Sequence, residues 1–374
     1  MRVKVAVTKG TLRVPPTYFA LTHAELMAGK HEFEMFCLVA DVQAATRVPV
    51  HDFVPLRRLG FRKREVIMPA FIPAMVHAVT KFQPHLIHQH FGTWALPAAR
   101  AAKSSRIPLV TTLHGADVFA FGRQASTAMA RWHHRNISAA NEQSGKLLAV
   151  SNFLAGEAVA AGLNRQKLEV HYQGIDTDYF TPDDAVDRAQ TDEEPVLLFV
   201  GGLSERKGVR DLLRASSSVQ LQVPHRLVIA GDGELGEHIR QTTASDPRVE
   251  LVGSQDRAAV RKLLRDAKAL AVPSRTHNGW REAAGLVALE AAACGTPVIA
   301  NNCGGLSEMI VDGTTGVLVE EGNTEALADA IKQMLGLPPD EYRAMSAAAR
   351  RFTVEERSLH KSCAELADHY DDVV

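Results

Sequence analysis

The sequence predicts an α/β chain of two Rossmann-like domains in series, facing each other across a cleft. Three observations lead there. At 374 residues the chain has room for two separate cores. Short runs rich in Val, Ile and Leu alternate with longer helical stretches, first up to residue 150 and again from residue 196. Between the series lies TPDDAVDRAQTDEEP, residues 181–195, which is acidic, has a proline near each end and lacks apolar periodicity. That composition reads as a linker.

In chain order, a Val/Ala run makes residues 3–7 the first strand, and 17–28 carry the spacing of a helix. Strands follow at 35–39, 86–88 and 109–113, with a helix at 95–103. A long helix at 124–143 precedes a strand at 147–150. The second series has strands at 196–200, 226–230, 249–252, 269–272 and 297–300, with helices at 209–219, 234–243, 257–266 and 286–293. Residues 324–370 read as helical. The expected domains are therefore 1–182 and 196–352, joined by a linker at 183–195. A terminal helix at 353–374 is expected to cross back to the first domain. Sheets of this kind bind ligands outside the carboxyl ends of their strands, so chemistry is expected in the loops there.

Composition narrows the function. A net charge of −1 argues against a nucleic-acid binder that works by overall attraction to phosphate. Cys37, Cys294, Cys303 and Cys363 lack metal or disulfide spacing and read as reduced thiols. Neither a secretory signal nor a run approaching 18 apolar residues is apparent, so a cytoplasmic protein without a spanning helix is expected. His85, His88 and His90, and the His133-His134 pair, have no acid or Cys at ligand spacing, and Asp-x-Asp is absent. Neither a metal nor a cofactor is expected.

The most informative segment is PSRTHNGWREAAGLVALEAAACGTPVIA, residues 273–300. A strand ends at Pro273, a polar loop carries Glu282, and a helix starting near Gly285 carries Glu290. The amides of Ala284, Gly285 and Leu286 at that helix start are suited to an anion. Glu290 is out of place among Leu, Val and Ala and needs a partner. A ribose diol or a nearby Arg would serve. Glu282 reads as a site acid or as a solvated loop residue.

In LFVGGLSERKGV, residues 198–209, a strand runs into Arg206 and Lys207, a cation pair suited to a diphosphate or else a solvated turn. His114 follows a strand in TTLHGADV and would face a sugar hydroxyl or serve in packing, while Asp117 reads as a helix N-cap. GDGELG, residues 231–236, matches a dinucleotide fingerprint, but it follows the second strand of its domain rather than the first. LRRLGFRKR, residues 56–64, places Arg57, Arg58, Arg62, Lys63 and Arg64 among apolar residues. It reads as an anionic-membrane contact or a solvated turn.

On these segments, together with HQHFGTWALPAARAA, VIAGDGEL, VELVGS, GGLSEMIVDGTTGVLV, AVSNF and GIDTDYF, the chain resembles family-4 retaining glycosyltransferases of the GT-B fold. Within that family it is similar to enzymes of bacterial exopolysaccharide and colanic acid assembly. The resemblance covers nearly the whole chain. It implies a metal-independent hexosyltransferase using a nucleotide-diphosphate sugar and a glycan or polyprenyl-linked acceptor, with possible sites at the inner face of the plasma membrane. It implies that Glu282 contacts the donor sugar, Glu290 the ribose, Lys207 the diphosphate and His114 the sugar's C6 hydroxyl. Val252 and Gly253 would lie by the base, and Gly10 near acceptor and diphosphate. Gly202 stands where many relatives have an arginine, a place Arg206 would fill. Ala283 and Ala284 follow Glu282 where relatives often carry Gly-Phe. The competing readings are a nucleotide-sugar epimerase or hydrolase, a nicotinamide oxidoreductase, and a non-catalytic nucleotide-sugar-binding partner.

Overall fold

The computed structural model describes residues 2–14, 19–43, 45–56, 58, 60–183 and 194–374. Most of the expected linker, residues 184–193, and Arg57 of the basic segment lie outside the described residues. The chain divides into two compact units, Met1–Gln173 with Ser362–Val374, and Gly174–Lys361. Residues 174–182 and 353–361, expected with the first domain or its returning helix, thus group with the second unit.

The first unit is built on β1 (Lys4–Val14), β2 (Glu32–Val42), β3 (Val50–Asp52), β4 (Leu86–His90), β5 (Leu109–Leu113), β6 (Lys146–Ala149) and β7 (Leu168–Val170). These form a seven-stranded sheet in the order β3-β2-β1-β4-β5-β6-β7. Every pairing is parallel. All five residues of β4 and of β5 are buried, as expected where helices cover both faces of a parallel sheet. Its core joins Ala6, Phe36, Leu38 and Ile87 to Met75, Val79 and Leu109. The expected helix at 124–143 starts four residues later, because Thr127 caps it by accepting the Ala130 amide at 3.1 Å.

One correction concerns residues 61–82. They form one helical run of 22 residues in which an 18-residue window has mean hydropathy 1.2, enough by length and composition alone to cross a membrane. Its Ile72, Met75 and Val79 are buried in the core of the first unit. Within it, Arg64 does not face solvent with the other basic residues. It is 4% exposed and pairs with Asp52 Oδ2 at 2.6 Å, while its Nε donates to the Val54 carbonyl at 3.1 Å.

The second unit is built on β8 (Val196–Val200), β9 (Arg226–Ala230), β10 (Val249–Gly253), β11 (Ala269–Val272), β12 (Val298–Asn301) and β13 (Gly316–Val319). Their order is β10-β9-β8-β11-β12-β13, again with every pairing parallel. Leu197, Phe199, Leu212, Ile229, Ile331 and Met334 belong to its core. Each sheet has one point where strand order reverses, β1/β4 in the first and β8/β11 in the second. Crevices at such points are where doubly wound sheets hold ligands.

Candidate functional site

At the β8/β11 reversal the two loops that leave the sheet are sewn together. The Arg275 amide donates to the Arg206 carbonyl at 2.8 Å. Gly208 has φ +67°, and a Cβ there would stand 1.9 Å from the Pro273 carbonyl oxygen. No side chain fits, so the Arg206-Lys207-Gly208 turn lies directly on the start of the Glu282 loop.

Lys207 Nζ accordingly donates to Glu282 Oε2 at 2.5 Å, and Ser274 Oγ donates to the same oxygen at 3.3 Å. Burial alone would raise the Glu282 pKa. The charge and hydrogen bond of Lys207, helped by Arg206 and Ser274, outweigh it and hold the carboxyl below its usual range. Glu282 is thus an anion at neutral pH. Its backbone is fixed from the other side, where its carbonyl accepts the Gly305 amide at 2.8 Å. Arg206 is exposed, and its guanidinium has no partner among the described residues.

The helix Leu286–Ala293 starts behind this pair, with Gly285 at φ +70° as its N-cap. Among the described residues, no acceptor outside the helix meets the amides of Ala284, Gly285 or Leu286. They form an anion-ready terminus. On the same helix Glu290 has neither a salt bridge nor a side-chain hydrogen bond among the described residues. Burial raises its pKa to about 7, and Arg257 offsets this only in part. The Arg reading of its partner is thus not realised as an ion pair, and Arg257 bonds Asp176 at 3.0 Å. Val252 and Gly253 end β10, where Gly253 has φ +69° and open space beside its Cα.

The glycine fingerprint has a packing explanation. A Cβ on Gly231 would lie 1.8 Å from the Gly201 carbonyl oxygen, and one on Gly233 would lie 2.5 Å from that of Leu203. These glycines let the β9 loop press on the β8 loop. Glu250, the acid at ribose spacing, pairs with Arg226 at 2.7 Å.

In the first unit, His114 follows β5 and is held through both ring nitrogens. Gln173 Nε2 donates to its Nδ1 at 3.1 Å, so the proton sits on Nε2, which faces His90 Nδ1 at 3.1 Å. Burial, with Lys9 and His88 next in size, pushes its pKa well below the ordinary value. It is a neutral imidazole packed beside the rings of Phe19 and Phe91, at 4.5 Å and 4.2 Å. Asp117 is not the N-cap expected. It lies inside the helix Ala116–Phe121, and its carboxylate accepts the amides of Gly92, His114, Gly115 and Val118 at 2.9–3.1 Å. That staples the β4 and β5 loops together. Gly10 packs against the root of the Trp94 side chain, whose Cγ a Cβ would meet at 2.4 Å. Among the described residues, no group of three or more His, Cys, Asp or Glu is arranged to hold a metal ion.

The sequence reading missed Ser274, Gly305 and Gln173, whose roles depend on neighbours far along the chain. It also passed over Lys9, which lies in an apolar strand.

Residues 182–352 match the group 1 glycosyl transferases, and residues 17–179 match glycosyltransferase family 4. The chain is 31% identical over 286 residues to a GDP-mannose-dependent alpha-(1-6)-phosphatidylinositol monomannoside mannosyltransferase of Mycobacterium tuberculosis, covering 73% of this chain and 71% of the relative. It is 29% identical over 301 residues to the N-acetyl-alpha-D-glucosaminyl L-malate synthase of Bacillus anthracis, covering 77% and 75%. Among solved structures it is similar to Anabaena Alr3699/HepE in complex with UDP and glucose, with TM-score 0.78 at 18% identity over 99% of this chain and 100% of that one. It is also similar to WaaG, a glycosyltransferase involved in lipopolysaccharide biosynthesis, with TM-score 0.75 at 16% identity over 98% and 99%.

Proposed function

The chain belongs to the family-4 glycosyltransferases of the GT-B fold, and from that premise we infer that it moves a hexose from a nucleoside-diphosphate sugar to a glycan or lipid-linked acceptor, with retention and without a metal. The observation that carries this reading is the Lys207–Glu282 pair at the β8/β11 reversal, set beside the unpartnered Arg206 guanidinium and the Ala284–Leu286 amides. Two cations and a helix terminus suit a diphosphate. An ionised acid beside them suits the sugar that the diphosphate carries.

Under this reading Lys207 leaves Glu282 for the diphosphate, joined by Arg206 and the helix amides. Their charge stabilises what accumulates on the phosphate as the bond to the anomeric carbon lengthens. Glu282 then orients the sugar and supports its developing positive charge. The acceptor oxygen bonds to the anomeric carbon on the face the diphosphate leaves, and its proton passes to a phosphate oxygen of the leaving group. Glu290 accepts from the ribose hydroxyls, and Val252 with Gly253 adjoins the base. His114, a neutral donor and acceptor, is assigned to a sugar hydroxyl, for which it exchanges one of its two internal bonds. Gly10 is assigned to the acceptor side.

Assignment to exopolysaccharide assembly and to the cytoplasmic membrane face rests on the resemblance and on Arg58, Arg62 and Lys63 beside the exposed Leu56 and Val66. Binding to vesicles of anionic but not neutral lipid tests that assignment.

A thermal-shift screen of nucleotide sugars tests the reading, since a ligand of the native state raises the melting temperature. The expected result is a shift with one donor, followed by nucleoside diphosphate release that depends on added acceptor. Release without acceptor indicates a hydrolase, and no shift with any donor removes the reading.

A further inference from the structure

The β1/β4 reversal of the first sheet holds a cation that the reading above does not use. Lys9 is 7% exposed. Its ammonium stands 5.5 Å from the centre of the Phe19 ring and 5.0 Å from that of Phe91. Among the described residues it has no carboxylate, carbonyl or hydroxyl partner. Burial lowers its pKa to about 8, against a smaller opposing effect from Cys37. His90 and His114, the polar side chains nearby, are neutral and supply no negative charge.

A buried ammonium with three unused N–H groups is costly, and ring faces offset only part of that cost. The surroundings are also not free to collapse onto it. Phe91 sits at φ +64°, a conformation rarely taken by a bulky residue. It is held there by its amide bonding the Thr112 carbonyl at 3.0 Å and its carbonyl accepting Gln89 Nε2 at 2.9 Å. Gln89 is itself fixed by Thr8 Oγ1 at 2.8 Å. A rigid aromatic wall, an unsatisfied cation and the carboxyl end of a reversing sheet coincide, as a recessed anion site requires.

We propose that Lys9, walled by Phe19, Phe91 and His114, receives an anionic group, a phosphate or a carboxylate, carried by the acceptor substrate. The proposal rests on the transferase reading, in which the donor's diphosphate already has Lys207, Arg206 and the helix amides of the second unit. An acceptor anion on Lys9 would fix the register of the acceptor in the first unit.

The test compares wild type, K9M, K9R and K207A as full chains. Inorganic phosphate is titrated calorimetrically in chloride buffer, with and without a saturating amount of the tightest of UDP, GDP and ADP. Wild type is expected to bind phosphate with the nucleotide present. K9M should weaken phosphate binding at least about tenfold, as for loss of a charge-assisted hydrogen bond. K9R should stay within about threefold, because it keeps the charge. The melting temperature of K9M should hold or rise, because a buried charge is removed, which separates loss of the site from loss of the fold. Phosphate affinity equal in K9M and wild type overturns the proposal and leaves Lys9 a packing residue. Nucleotide affinity that falls in K9M assigns the anion to the donor and equally overturns it. Failure of the transferase reading shows separately, as wild type that binds none of UDP, GDP and ADP, while K207A reports on the donor side alone.

Discussion

Lys207 Nζ lies 2.5 Å from Glu282 Oε2 although 75 positions separate the two residues. Each neutralises the other before any ligand arrives, so the site is pre-assembled and the lysine must change partner when a diphosphate binds. Replacing Lys207 by Ala is expected to weaken nucleoside diphosphate binding by about ten- to a hundredfold, as for loss of a charge-assisted hydrogen bond. It should also raise the Glu282 pKa, since burial would then act against less opposition. Calorimetric titration with UDP, GDP and ADP checks the first effect, and unchanged affinity removes Lys207 from the site.

Glu290 sets a pH dependence. Its pKa is about 7 in the folded protein against an ordinary 4.5. The folded state therefore binds more protons than the unfolded state between those values, and stability falls as pH rises through that window. The cost above pH 7 is on the order of 3 kcal/mol. Nucleotide binding should run the other way, because ribose hydroxyls donate to the ionised form, and affinity should rise about tenfold from pH 6 to pH 8. E290Q should flatten the affinity profile and raise the melting temperature at pH 8. A profile equally steep in E290Q would assign the titration elsewhere.

The first unit should be acid-sensitive. His23, His88, His90 and His171 are buried and His114 is half-buried, and desolvation pushes the pKa of each below its ordinary value of 6.5. Below pH 6.5 the unfolded chain takes up protons that the folded one refuses, so stability falls with pH by up to about 1.4 kcal/mol per pH unit for each such group. Melting temperatures measured from pH 7.5 to pH 5 should drop steeply. A flat profile would mean that these imidazoles titrate alike in both states.

Arg64 and Asp52 give a stability prediction apart from the site. R64A removes the Arg64 guanidinium from the buried Asp52 carboxylate and from the Val54 carbonyl, and about 3–5 kcal/mol of loss is expected in denaturant unfolding. Exchanging Arg62 and Lys63 for Glu should leave stability within about 0.5 kcal/mol, as at exposed positions.

How much of this was legible in the sequence follows from how local each signal is. Glu282, Glu290 and the Arg206-Lys207 turn could be read because a strand end, a helix start and an acid among alanines are all visible within a few residues. The doubly wound architecture could be read from alternating periods, but the order of the strands could not. Arg64 could not, because nothing in LRRLGFRKR indicates that one guanidinium turns inward to Asp52 on β3. The short edge strands β3, β7 and β13 have too few residues to show a period. Lys9 looked like an ordinary strand residue, since its isolation depends on Phe19 and Phe91, which only the folded sheet brings to it.

The central claim is that the Glu282 carboxylate acts on the sugar while its neighbours hold the nucleotide. Measuring acceptor-dependent transfer and nucleotide affinity side by side in E282Q tests it most directly. The account predicts turnover lower by about two to four orders of magnitude, in the range for loss of one transition-state contact, with affinity changed by less than about threefold. Wild-type turnover in E282Q would contradict it.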